Sequence, residues 1–121
     1  MSKLETIKID DVEYVRKDAT QPELNKENYC IVRSARGGVF AGYVEESNLG
    51  EGWVKMRQAR RLWYWDGAAS LSQLALDGVS KPENCKFPAP LPRTTILGVD
   101  EIIPCTVVAI NSIGGVKLWK A

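Results

Sequence analysis

The sequence contains no histidine, and that absence removes whole classes of chemistry. Ser-His and Cys-His nucleophilic pairs, histidine-ligated zinc and histidine pH switching all need an imidazole. Cysteine is scarce: Cys30, Cys85 and Cys105 lie far apart, with no CxxC pair. A scattered, odd-numbered set fits neither a disulfide framework nor a thiolate metal site, so free buried thiols and no bound metal are expected. No apolar run approaches the roughly 20 residues of a membrane helix. The start, Met1-Ser2-Lys3-Leu4-Glu5, lacks the apolar core of a signal peptide. Strong charge is missing too. Sixteen basic residues against fifteen acidic leave +1, far from the excess that nonspecific nucleic-acid binding requires.

What is present amounts to one globular domain: 121 residues, 45% hydrophobic and 26% charged, long enough to bury a core without staples. Residues 1–20 are expected to form a β-hairpin arm, in which Ile7 and Ile9 alternate with Thr6 and Lys8 ahead of an Asp10-Asp11 turn. A lone hairpin is marginal in water, so the arm must pack on the body or on a second copy. Residues 21–28 are polar, contain Pro22 and read as a linker. Residues 29–121 are the body.

In the body, Tyr29–Ser34 and Val39–Val44 read as strands around a turn at Arg36-Gly37-Gly38. A third strand is expected from Trp53 to Trp65, stopping at Asp66-Gly67. Ser70 then caps a helix over Leu71–Asp77, with Gln73 at the capping-box position and Gly78 as terminator. Four prolines between Pro82 and Pro92 forbid long regular structure. Thr94–Leu97 and Glu101–Ile103 are short strands. Thr106 is placed to cap a helical turn or two through Ile113, while Val107-Val108 favour strand, so both readings stand. Val116–Trp119 reads as a closing strand. The fold class is therefore α+β, mostly β: a curved antiparallel sheet or small β-barrel with one short helix and an N-terminal β-hairpin arm.

The segment from Lys55 to Trp65 holds four cations and no acid. Strand alternation sets Arg57, Arg61, Trp63 and Trp65 on one face. Guanidinium groups beside indole rings suit a phosphorylated base, the Arg forking to phosphate and the indole stacking on the ring. The same alternation equally describes a core strand whose Trp side chains are inside and whose Arg side chains are at its wet end. Arg33 and Arg36, beside Gly37-Gly38, make a second basic turn, either an anion nest or a plain hairpin closure. No P-loop and no dinucleotide fingerprint occurs. The adjacent pairs Glu45-Glu46 and Asp100-Glu101 point to opposite faces of a strand, so neither is a ready acid/base dyad. A non-enzymatic protein without a cofactor is expected.

Arg60 to Ala68, then Ser70 to Ala75, Asn84 to Phe87 and Glu101 to Thr106, in that order, resemble blocks of a family of small tailed-bacteriophage and prophage proteins of no assigned activity. The likeness covers about residues 28–121. Val107-Val108 and Gly114-Gly115 depart from that family's more polar tail. The resemblance implies a phage origin and a small β-rich domain, and it carries no catalytic residue across. The resulting expectation is a homo-oligomeric accessory protein of the host cytoplasm that binds a host or defence-derived ligand, such as a nucleotide signal, through Arg57, Arg61, Trp63, Trp65, Arg33 and Arg36. The alternative is a virion decoration or head–tail component assembled through the arm, with a sequence-specific nucleic-acid binder third.

Overall fold

A computed structural model describes residues 23–120. The expected arm, residues 1–20, lies outside them. The body is mostly β, with strands β1 (Tyr29–Ser34), β2 (Gly38–Asn48), β3 (Trp53–Arg61), β4 (Leu91–Leu97) and β5 (Val99–Pro104). Two helices accompany them, α1 (Leu71–Asp77) and α2 (Val107–Gly114), with a short 3-10 turn at Pro82–Asn84. The strands form one antiparallel sheet in the order β4-β3-β2-β1-β5.

That order places β4 and β5 at opposite edges, yet a single residue, Gly98, joins them in sequence. The sheet must curl for its edges to meet. Gly98 takes φ +66°, where a side chain would be strained, and its carbonyl accepts the Ala35 N–H at 3.2 Å. Ser34 Oγ donates to the Leu97 carbonyl at 2.6 Å and Val99 N–H donates to Gly52 at 2.9 Å. The curl explains one of the two cores. Val32, Phe40, Val54, Met56, Ala59 and Ile96 are all buried and all come from strands, so the sheet itself encloses them.

The other face is covered by the helices. Leu74 and Ala75 of α1 and Ala109 and Ile113 of α2 pack with Ile31, Ala41, Leu62 and Phe87. Local chemistry explains α1: Ser70 Oγ accepts the Gln73 N–H at 3.2 Å, and Gln73 Oε1 reaches back to accept Ala69 N–H at 2.8 Å. Between Thr106 and Ile113, where the sequence left helix and strand open, helix forms. Thr106 Oγ1 accepts the Ala109 N–H at 3.0 Å and donates to the Leu76 carbonyl, capping α2 and tying it to α1. The Val residues that argued for strand sit in the first turn, where Val107 and Val108 are exposed and crowd nothing. Val116–Trp119 is no regular strand; it makes a single parallel bridge, Leu118 to Phe87. Glu23–Asn28, expected as linker, is fastened down. Asn25 Nδ2 donates to the Cys105 and Tyr29 carbonyls, and Val107 N–H donates to Glu23.

Two departures from the expected β3 matter for function. It ends at Arg61, because β2 runs out: Phe40 pairs with Arg61, Leu62 N–H still reaches Val39, and the next residues back are the turn. Trp63 N–H turns instead to Lys86. Within β3 the register slips between Ala41–Arg60 and Tyr43–Arg57, so Gln58 and Ala59 together oppose Gly42. This is a β-bulge, and Gln58 sits in the left-handed region at φ 52°. Gly42 makes the approach possible; a Cβ there would lie 2.8 Å from Ala59 Cα and from the Gln58 carbonyl oxygen. Gly42→Ala should destabilise the protein by about 1–3 kcal/mol, read by urea denaturation, because the obstructing atoms are backbone.

Cys30, Cys85 and Cys105 are free and buried. Burial raises the Cys30 thiol pKa above its ordinary value and pushes Cys105 up to about 12. In the unfolded chain a thiol ionises near 9, so from there to about 12 the unfolded state holds fewer protons than the native state. Stability should therefore fall as pH rises through that window, and urea midpoints measured at successive alkaline pH values should decline. A flat profile would show the thiols to be accessible.

Candidate functional site

The bulge decides how the basic segment is distributed. Without it Arg57 and Arg61 would share a face; with one extra residue between them they do not. Arg57 lies on the helix-covered face, its guanidinium 4.2 Å from the centre of the Tyr43 ring and 4.0 Å from Glu45. Arg93 reaches the same carboxylate at 3.6 Å. Arg61 lies on the strand-enclosed face, stacked 4.3 Å from the Phe40 ring centre, and donates from Nη1 to the Gly37 carbonyl at 2.6 Å. The expected stripe of Arg57 with Arg61 is therefore wrong, and the extra residue at Gln58–Ala59 is the reason.

Arg61, Trp63 and Trp65 do come together. They line an open groove of about 270 Å³ with Gly37, Gly38 and Val39. Because β3 has ended, Trp63 is not a core residue; it is 65% exposed, held by its backbone N–H on Lys86. Trp65 is half-buried and packs on the helix-side core. The groove thus has one fixed indole, one open indole and one guanidinium with donors to spare.

The basic turn closes a hairpin and is not a nest. Arg36 N–H and Gly37 N–H both donate to Ser34 Oγ, at 3.3 and 3.0 Å, which uses the amides an anion would need. Arg33 is taken up by Glu101 at 3.3 Å across β1 and β5. Arg36 is exposed, one residue before the groove's Gly37.

Arg60, which unbroken alternation would set on the face opposite Arg57 and Arg61, is the most constrained cation. It is 4% exposed and donates to four carbonyls: Nε to Pro88 at 2.9 Å, Nη1 to Ile113 at 2.8 Å, and Nη2 to Phe87 at 3.0 Å and Val116 at 2.6 Å. No carboxylate pairs with it among the described residues. Burial lowers its pKa. The Ile113 carbonyl belongs to the last turn of α2, the negative end of that helix, so carbonyl dipoles replace the missing counter-ion. No spacing rule flags such a residue, since its partners are all backbone and distant in sequence.

Among the described residues no three of His, Cys, Asp and Glu gather to hold a metal, and no helix is long and apolar enough to cross a membrane. A family described as a domain of unknown function (DUF6948) matches residues 27–113, which takes in all five strands, α1 and most of α2. No curated protein and no solved structure matches the chain.

Arg60 and Arg57 should separate in stability measurements. Arg60→Lys keeps the charge but cannot fork to four carbonyls, and should cost about 2–3 kcal/mol through buried acceptors left unpaired. Arg57→Lys, at a partly exposed ion pair, should stay within about 0.5 kcal/mol. Equal urea midpoints for the two variants would contradict the assignment of Arg60 as the buried clamp.

Proposed function

The chain belongs to the DUF6948 family, and we propose that this member is a non-catalytic binding module whose groove of Arg61, Trp63 and Trp65 takes a flat ring carrying an anionic group, as a nucleotide does. The observation that supports this is the exposure of Trp63 beside Arg61. An indole 65% exposed offers an open ring face, and base–aromatic stacking on such a face contributes about 1–3 kcal/mol. The remaining guanidinium donors of Arg61 lie next to it for a phosphate oxygen. At about 270 Å³ the groove is shallow for a small-molecule site, which suits a ligand held by one face and released readily, and does not suit turnover in a water-excluded pocket.

The phage origin that the resemblance implies, taken with this groove, extends the proposal to an accessory protein that sequesters a nucleotide signal in the host cytoplasm. Assembly through the N-terminal arm, on which the virion alternative rests, concerns residues outside those described.

Calorimetric titration with linear and cyclic nucleotides, run beside thermal melts, tests the groove. Trp63→Ala should weaken nucleotide binding by about 1–3 kcal/mol and leave the melt almost unchanged, because an exposed side chain contributes little to the core. Arg61→Ala should weaken binding by about 1.5–3 kcal/mol, together with some stability through the lost Gly37 bond. Nucleotide affinity that ignores both substitutions would overturn the reading.

A further inference from the structure

A second cleft, away from the Trp63 groove, is better built for a small molecule. It measures about 430 Å³, within the usual range of ligand sites, and lies where β2 and β3 face the end of α2. Tyr29 and Arg60 line it from the sheet, Tyr43 and Ile110 flank it, and Lys117 stands in its wall. From Tyr29, Tyr43, Arg60 and Lys117 together with the apolar lining we infer that it binds a small organic anion, a carboxylate carried on an aromatic or branched apolar body.

Three observations carry this independently of the Arg61 groove. The first is Tyr29, only 6% exposed, whose hydroxyl has no hydrogen-bond partner among the described residues. A buried phenol normally finds a partner, and leaving one unmatched costs about 1–3 kcal/mol. The backbone N–H and carbonyl of Tyr29 are both bonded, by Asn25, so the unmet group is the side chain alone. The second is charge. Among the described residues Arg60 is a buried cation without a carboxylate, Lys117 adds another positive group, and no acidic residue lines the cleft. Four of the five Arg60 N–H donors are engaged by carbonyls, which leaves one on Nη1 without a partner among the described residues. Two unspent donors, the Tyr29 O–H and that N–H, match the two oxygens of a carboxylate.

The third observation is shape and polarity. Tyr29 and Tyr43 meet edge to face with centroids 5.0 Å apart, and Ile110, Val116 and Leu118 supply apolar wall. Such a lining receives a hydrocarbon body far better than a hydrated phosphate. The polar head belongs at the floor and the body toward the mouth, where Leu118 is 56% exposed.

The full-length protein, isotopically labelled, should be titrated with phenylacetate, 4-methylvalerate, phenylacetamide and inorganic phosphate while backbone resonances are followed. The carboxylates should give saturable shifts at Tyr43, Ile110 and Gly114, and the amide and phosphate should not. Tyr29→Phe should weaken carboxylate binding roughly tenfold, the equivalent of one hydrogen bond, without loss of the folded spectrum. Gly114→Leu provides a second variant: Gly114 lines the cleft and a Cβ there meets nothing within 4 Å, so a larger side chain should weaken binding by crowding the cleft without disturbing the fold. Carboxylates that produce no shifts at these residues at millimolar concentration, or bind Tyr29→Phe and Gly114→Leu as well as the parent, overturn the inference. Neither variant touches Arg61 or Trp63, so the outcome is separate from that of the nucleotide titration.

Discussion

One buried cation gathers the segments that close the helix-covered side of this protein. The Arg60 guanidinium gathers the carbonyls of Phe87, Pro88, Ile113 and Val116, joining β3 to the proline-rich segment, to the end of α2 and to the chain beyond it. These are irregular stretches with few ladder bonds of their own. A forked donor meets four acceptors at once, which no aliphatic side chain does. Among the described residues the desolvation of a full charge is offset by carbonyl dipoles, so the arrangement works because all four point inward together.

Arg60 reaches that position through the bulge. An uninterrupted β3 would put Arg60 on the face of Met56, the strand-enclosed core, where no carbonyls wait. The extra residue at Gln58–Ala59 reverses the alternation, turns Arg60 to the helices and Arg61 to Phe40, and needs Gly42 opposite. One glycine on β2 therefore sorts a basic run into an exposed pair member, a buried clamp and a groove residue. Three chemically identical side chains acquire three roles from backbone register alone.

That is also why the fold was more legible in the sequence than the site. Signals within a few residues of each other read true: Ser70 with Gln73, the Gly37-Gly38 turn, and the sequence of short strands that makes a curved antiparallel sheet. Those features are governed by capping and turn chemistry that any chain obeys locally. The site depended on what a strand pairs with. Period-two reasoning on residues 55–65 assumed an unbroken ladder as far as Trp65, and neither the bulge nor the exhaustion of β2 after Phe40 leaves a mark on those residues. Gly42 was the one visible hint, since a glycine inside a strand marks a bulge or a close approach. The meeting of Arg61 with Trp63 and Trp65 survived because all three follow the bulge.

On the two proposals, the clefts would divide the chemistry of recognition between them. Beside Trp63 the polar group is at the surface, where water competes for the guanidinium and affinity must come largely from ring stacking. Beside Tyr29 the donors are already stripped of water, so a matching acceptor recovers interactions the fold leaves unmet, at little reorganisation cost. Discrimination follows the same division. An open stacking face tolerates many rings, whereas a buried hydroxyl next to a fixed cation rejects any ligand lacking an anionic acceptor, because that ligand would leave both donors unpaired. The proposed anion site depends on Arg60 being held by main-chain carbonyls. A carboxylate partner would have neutralised it internally and removed the reason for an anion to enter.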